Sequence, residues 1–315
     1  MNKAKSSTSL TLSCIGAGRA GKTLCRLFAE QQSEFDLSIQ QIINRSESSA
    51  AKAVSFIGQG QAAASFDNLL AADIWLIATP DNEIAAVSER LAQSAVLRKG
   101  DIVFHCSGAL SSKIISSKII SSQVLSSSAD SVYRASVHPI HSFAHPQNSL
   151  TDFAGSACGI EGDRQACDIL TALFTAIGGR CFALNADKKA LYHAATVMAC
   201  NNLISLLSLS QQMLEAADVE SAAADNILQP LIENSLNNYF HSGGAAALTG
   251  PISRGDSKTV EAHIESLKAH PDWQRIYSNL GEIAVSLSAQ QGFASDKQLE
   301  TISSLLARAN NHEQI

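Results

Sequence analysis

The stretch Gly16-Ala17-Gly18-Arg19-Ala20-Gly21 constrains this chain more than any other. It has the spacing G-x-G-x-x-G. It follows directly on an apolar run, LTLSCIG (Leu10–Gly16), that reads as a strand, and it opens KTLCRLFAEQQ (Lys22–Gln32), which reads as a helix. Each glycine has a separate task. Gly16 permits a tight turn, Gly18 lets backbone approach a pyrophosphate, and Gly21 lets the helix pack closely on the strand. The helix N-terminus adds free N–H groups and a positive dipole end, which suits an anion. The motif alone is weak; in the strand–turn–helix context it predicts a dinucleotide site.

The rest of the first half repeats that unit. IQQIINRS (Ile39–Ser46) reads as a second strand, followed by the Ala-rich helix ESSAAKAVSFIG. A short strand is expected near Ala62–Ala64. DIWLIATPD (Asp73–Asp81) and DIVFHCSGAL (Asp101–Leu110) are almost continuously apolar. Such strands separated by helices imply a parallel sheet covered on both faces, and right-handed crossovers make it doubly wound. SVYRASVHPIHSFA, SACGIEG and RCFAL read as its last strands, with DRQACDILTALFTAIGG as a helix between the last two. After Asn185 nearly everything reads as helix, around 188–217, 222–240, 257–269, 272–291 and 296–309. The expected organisation is an α/β domain over residues 1–185 and an all-helical domain over 186–315. The serine-rich segment 111–128, with its tandem SSKII repeat, reads as a variable surface insertion without chemistry.

Hydrophobic residues make up 45% and charged residues 17%, enough apolar side chain for a sizeable core. Net charge is −6, with no Lys/Arg cluster, so neither nucleic acid nor a membrane surface is the expected partner. No run approaches the ~20 apolar residues that span a bilayer. The seven cysteines are odd in number and form no C-x-x-C, which reads as reduced thiols in a cytoplasmic protein.

The end of the second strand selects the cofactor. An NAD enzyme usually carries Asp or Glu there for the ribose 2′-hydroxyl. Here the residues are Asn44-Arg45-Ser46. Arg45 pairs with a 2′-phosphate, Asn44 and Ser46 donate hydrogen bonds, and Arg19 assists, so NADP(H) is expected over NAD(H). Thr79-Pro80-Asp81 and Ser107-Gly108 end the next apolar strands. Ligands in open α/β sheets lie outside the carboxyl ends of strands, so these loops are expected beside the nicotinamide end.

IGAGRAGKTL, INRS, ATPD, HCSGAL, VHPIHSF, CGIEGD, KALYHAATVMACN and LTGPISRGD occur in that order. On these motifs the sequence resembles a family of Rossmann-like NADP oxidoreductases with a C-terminal domain of unknown function. That family looks related to deazaflavin-dependent NADP oxidoreductases, ketopantoate reductase, pyrroline-5-carboxylate reductase and β-hydroxyacid dehydrogenases. The resemblance covers nearly the whole chain outside the serine-rich segment. It implies a helical domain like the C-terminal domain of 6-phosphogluconate dehydrogenase and a homodimer formed through it. Related dehydrogenases carry a lysine and an asparagine four apart on the first interdomain helix, the lysine acting as general acid. Lys189 and His193 match that spacing, with histidine in place of asparagine, so either is a candidate proton donor. Asn201, about 80° further round a regular helix, is expected to flank the same face.

Two further motifs concern substrate. Arg254, between the turns of LTGPISRGD, suits a carboxylate or phosphate, and Asp256 suits a helix N-cap. SVHPIHSFAHP (136–146) packs three histidines into eleven residues. Prolines break the regular spacing that metal ligation needs and the neighbouring residues offer no acid before Asp152, so a metal is not expected. The stretch matches the family's HP-x-x-SF loop at His138, Pro139, Ser142 and Phe143. His138 and Ser142 are therefore expected at the substrate, and His141 and His145 in solvated or structural roles. The expected function is NADP-dependent hydride transfer with a small carbonyl- or imine-type substrate, plausibly anionic, in the interdomain cleft. The alternatives are a non-turnover NADP(H)-binding regulator or redox sensor, and partnership with a diffusible flavin.

Overall fold

The structure is a computed structural model and describes residues 9–31, 36–116 and 132–310. Eight apolar runs become strands: β1 (Leu10–Ile15), β2 (Leu37–Ile43), β3 (Gln61–Ala63), β4 (Ile74–Ile77), β5 (Ile102–His105), β6 (Tyr133–Pro139), β7 (Ala157–Gly162) and β8 (Arg180–Ala183). They form one sheet in the order β3-β2-β1-β4-β5-β6-β7-β8. Every neighbouring pair is parallel except β6 and β7. The fold is the expected doubly wound, mostly parallel Rossmann sheet followed by helices.

Alternation along each strand explains why both faces must be covered. In β4, Ile74 and Leu76 join a core with α1 (Arg19–Glu30), α2 (Glu47–Ile57) and α5 (Arg164–Ala176), in which Phe28 and Phe174 meet edge-on at 5.3 Å. Trp75 and Ile77 join a separate core with α3 (Asp81–Gln93) through Ile84, Val87 and Leu91. A four-residue strand buried on both sides cannot alternate polar with apolar, hence the run IWLI. The sheet order reverses direction at β1, which sits between β2 and β4. That switch point sets the carboxyl ends of β1 and β4 side by side, where such sheets bind ligands.

Contacts divide the chain into one unit of residues Met1–Cys200 and a second of Asn201–Ile315. The division falls after the expected boundary at residue 185. The cause is α6 (Lys189–Val197), whose Lys189 and Tyr192 bond to groups at the sheet's end. The helix expected over 188–217 is interrupted by a π-helical stretch, Met198–Asn202, before α7 (Leu203–Ala216). The serine-rich segment lies outside the described residues from position 117 onward; before it, Ser112–Ile114 forms a single 3-10 turn.

The second unit is all-helical: α7, α8 (Ser221–Ser242), α9 (Gly244–Ala247), α10 (Ser257–Ser266), α11 (Pro271–Gln291) and α12 (Asp296–Asn310). Its core joins Ile252, Val260, Ile302 and Leu306. Gly281 of α11 lets α12 approach, since a Cβ there would sit 2.9 Å from the Leu306 side chain. On α8 the large apolar residues Ile227, Leu231, Tyr239 and Phe240 are exposed.

By length and composition, the helical stretch Ala186–Ala216 is apolar enough to cross a membrane, contrary to the expectation from sequence. Its first two turns are fastened to the sheet through Lys189 and Tyr192. The rest of it is the π-helical stretch Met198–Asn202 followed by the 14-residue α7.

Candidate active site

The glycine loop runs between the ends of β1 and β4. Gly16 has φ +89°, and a Cβ there would meet the Thr79 side chain at 2.6 Å and its backbone nitrogen at 2.8 Å. Gly21 lies against Ala78, where a Cβ would meet another Cβ at 2.9 Å. Gly18 differs: a Cβ there would find only the Gly16 carbonyl, at 4.0 Å. The chain itself therefore requires glycine at 16 and 21, while Gly18 leaves space that none of the described residues fills. The N-terminus of α1 has no side-chain cap and no acidic residue in its first turn, so its dipole is uncompensated.

A cleft of about 550 Å³ opens over this loop, lined among others by Gly16, Gly18, Arg45, Lys52 and Thr79. Asn44 uses its side-chain oxygen to accept from Ala17 N at 2.7 Å, which pins the loop to β2. Ser46 caps α2, its hydroxyl accepting from Ser49 N at 3.3 Å. Two of the three residues expected to meet a 2′-phosphate thus hold backbone as well. Arg45 and Lys52 are exposed and, among the described residues, bond to no other side chain. On the far wall the Arg90 guanidinium lies 4.1 Å over the Phe66 ring. Thr79 lines the cleft, and its hydroxyl is buried without a hydrogen-bond partner among the described residues. A tight glycine turn, an open Gly18, an uncapped helix start, free cations and an orphan hydroxyl all fit a phosphorylated dinucleotide.

The loop after β5 is tied down from below. Asp81, the first residue of α3, accepts from the Ser107 hydroxyl at 2.6 Å. The same hydroxyl accepts from Ala109 N at 3.2 Å and Leu110 N at 2.9 Å. His105 accepts from Ser107 N at 3.1 Å through Nδ1, which leaves Nε2–H for the Ser111 carbonyl at 3.2 Å. Burial pushes this imidazole down to about 4, so it stays neutral in its two-bond role.

Beneath the loop lies Lys189, 1% exposed. Its ammonium donates to the Ser107 carbonyl at 2.9 Å and to the Ser136 hydroxyl, and lies 3.6 Å from the Glu161 carboxylate. Glu161 also accepts from Ser112 N at 2.7 Å and the Ser112 hydroxyl at 2.8 Å. Burial holds Lys189 below its ordinary pKa, and Glu161 opposes that shift. A lysine so enclosed positions the loop; its donors are directed at protein groups.

One turn later on α6, His193 stands over the same loop. A Cβ on Gly108 would collide with His193 Nδ1 and lie 2.8 Å from His138 Nε2, so glycine is obligatory under the two rings. His138 and His193 meet edge-on with centroids 5.3 Å apart. Tyr192 completes the group, its hydroxyl 2.9 Å from His138 Nδ1. Burial, then the neighbouring His193 and Lys189, push His138 down to about 4. Burial raises the Tyr192 phenol to about 12.

Ser142 is exposed on the loop after β6. His141 is structural, bonded to Ser156 at 3.1 Å and Ser149 at 3.0 Å and packed on Phe143 and Phe153. His145 precedes the short helix α4 (Pro146–Asp152). Asn201 and Arg254 belong to the second unit and are exposed. The 80° relation between Asn201 and His193 does not hold, because the π-helical stretch changes the angular step. Arg254 sits between Gly250 (φ +95°) and Gly255 (φ +70°), and Asp256 caps α10 by accepting from Thr259 N at 3.1 Å. Among the described residues no three His, Cys, Asp or Glu gather as a metal site.

Tyr192, Glu161, Ser136 and Lys52 were not anticipated. Glu161 left a signal, since a carboxylate inside the apolar strand CGIEG requires a buried partner. Tyr192 left none, because its partner His138 is distant in sequence.

Residues 2–123 match a family described as Rossmann-like domain, and residues 156–284 match Domain of unknown function (DUF2520). Among solved structures, the chain is similar to protein TM1727 from Thermotoga maritima, with 25% identity, TM-score 0.67 and coverage of 89% of this chain and 99% of that one. BF3122 from Bacteroides fragilis, provisionally named an NADP oxidoreductase, gives 18% identity and TM-score 0.68 over 88% and 98%. A pyrroline-5-carboxylate reductase from Coxiella burnetii gives 14% identity and TM-score 0.54 over 95% and 99%. No curated protein matches the chain. The fold is one used by NAD(P)-dependent oxidoreductases.

Proposed function

We propose that this chain, which belongs to the family joining a Rossmann-like domain to DUF2520, is an NADP(H)-dependent oxidoreductase acting on a small carbonyl- or imine-type substrate. The carrying observation is the cleft at the glycine loop, where Arg45 and Lys52 stand uncommitted at the edge that an NAD enzyme furnishes with an acid. When bound, the dinucleotide supplies or takes up the hydride. The backbone of Gly16, Ala17, Gly18, Arg19, Ala20 and Gly21 holds the diphosphate at the start of α1. Arg45 and Lys52 hold the 2′-phosphate, with Asn44 and Ser46 supporting the loop between them. Thr79, Pro80 and Gly108 border the nicotinamide end, and the Asp81–Ser107 bond keeps those loops in register.

On this reading His193 carries the exchangeable proton, while Lys189 positions the loop that His193 overlies. His138 and Ser142 contact substrate. Arg254 holds an anionic substrate group, and Asn201 supports the same substrate. Calorimetric titration tests the cofactor assignment. NADPH is expected to bind at least tenfold tighter than NADH, and Arg45→Ala should remove most of that difference by deleting one charge-assisted contact. Equal affinities, unchanged by Arg45→Ala, would reject it.

The engagement of Lys189 by Ser107, Ser136 and Glu161 favours a second reading, an NADP(H)-binding sensor without turnover. NADPH oxidation over a panel of 2-keto acids, aldehydes, cyclic imines and flavins separates the two. Tight NADPH binding with no turnover would select the sensor. The exposed apolar residues of α8 support a homodimer in either case, and monomer mass by light scattering would exclude it.

A further inference from the structure

His138 has two ring nitrogens with different surroundings. Nδ1 lies 2.9 Å from the Tyr192 hydroxyl. Nε2 has no partner among the described residues and lies over Gly108, 2.8 Å from where a Cβ would stand. Donor counting fixes the proton. A half-buried phenol needs an acceptor for its O–H, and among the described residues His138 Nδ1 is the one within reach and Tyr192 makes no other hydrogen bond. If Nδ1 carried the proton, the phenol hydrogen and the bare Nε2 would both go unpaired. If Tyr192 donates, that bond satisfies the phenol and Nδ1, and the ring proton sits on Nε2, leaving one unpaired group, the Nε2–H over Gly108.

We infer that Tyr192 is a positioning residue that fixes His138 as a neutral Nε2–H donor over Gly108, and that the substrate atom received there is an oxygen, a carbonyl or carboxylate, rather than an iminium nitrogen. A neutral N–H donor stabilises charge developing on oxygen, and it opposes a group that itself carries N–H and positive charge. The surroundings keep the ring uncharged: His193, Tyr192 and Lys189 face it from α6, and Asp81 at the start of α3 is the acid that opposes them. Glu161 is already engaged with Lys189 and Ser112. Gly159, paired with His138 across β6 and β7, leaves room for the phenol, whose oxygen would lie 3.1 Å from a Cβ at that position.

The inference rests on the oxidoreductase reading for its substrate clause only; the tautomer belongs to the free protein. Nitrogen NMR on the full-length, histidine-labelled chain reads both nitrogens of each ring. His138 is expected as a single Nε2–H tautomer, unchanged from pH 8 to pH 5, and Tyr192→Phe is expected to give a mixture of tautomers with the fold intact. A His138 that is Nδ1–H, or cationic at pH 7, or unaltered by Tyr192→Phe, overturns the assignment. For the substrate clause, oxamate is expected to shift the His138 Nε2 resonance of the NADP⁺-saturated protein more than pyrrolidine does. Equal or reversed shifts overturn that clause. Failure of NADP⁺ to bind would instead be seen by calorimetry and would strike the oxidoreductase reading, leaving the tautomer result standing.

Discussion

The two ends of the candidate site are built in opposite ways. At the glycine loop the determinants are local: Gly16, Gly18 and Gly21 lie within six residues, and each acts on its own neighbourhood. At the loop after β5 the determinants are distant in sequence: Lys189 reaches Ser107, Ser136 and Glu161, on three different stretches of the sheet. The first end is an open cleft, and the second is built on a buried lysine whose ammonium is engaged by protein groups. A local motif states its chemistry in sequence. A buried network shows only its members, because which polar group meets which is decided by the sheet order.

That difference is tested most severely at Lys189. Lys189→Met leaves the Glu161 carboxylate buried without its cation. Breaking a buried pair in this manner costs about 3–5 kcal/mol, so urea unfolding should show a loss of that order. Lys189→Met with Glu161→Gln should recover more than half of it. If Lys189→Met is neutral for stability and abolishes turnover alone, the lysine is a free acid after all and the contrast between the two ends collapses.

Acid offers a second and smaller test. His105 has an ordinary pKa of 6.5 and is held at about 4 in the fold, so the unfolded chain binds more protons between those values. Stability therefore rises with pH across that window and falls as pH drops from 6.5 toward 4, by at most roughly 3 kcal/mol from this residue. The sign is that of a histidine kept neutral because both ring nitrogens are engaged, with Ser107 N and the Ser111 carbonyl. His105→Gln should flatten part of that slope in unfolding curves recorded between pH 4 and 7. An unchanged slope would show that the loop does not depend on a neutral ring.

The sheet, its order of strands and helices, and the glycine loop were legible because each follows from a periodic or local pattern. The run IWLI had to be a strand buried on both faces, and the turn at Gly16 had to be glycine at positive φ. Composition changes near 185, whereas the contacts divide after Cys200, once α6 has docked through Lys189 and Tyr192. The angle reckoned for Asn201 assumed a regular helix, because a π-helical stretch carries no clear mark in ALYHAATVMACNN. Of the histidine-rich stretch, the separation of His138 from His141 came from the spacing of one motif. What binds each ring, Tyr192 in one case and two serines in the other, came only with the fold.

The smallest stability effect carries the sharpest distinction. Gly16→Ala and Gly18→Ala change the same motif by the same methyl group. At Gly16 the methyl meets Thr79 at 2.6 Å and the backbone has φ +89°, so strain of about 1–3 kcal/mol is expected in thermal unfolding. At Gly18 the backbone has φ −70° and the methyl would find no atom nearer than 4.0 Å, so the free protein should change by less than about 0.5 kcal/mol. Yet the methyl at 18 occupies the space reserved for the diphosphate, and NADPH affinity should fall by an order of magnitude or more. A Gly18→Ala protein that melts normally but binds NADPH poorly shows a residue kept for its ligand alone. One that binds NADPH normally would leave the cleft without the function its glycine spacing implies.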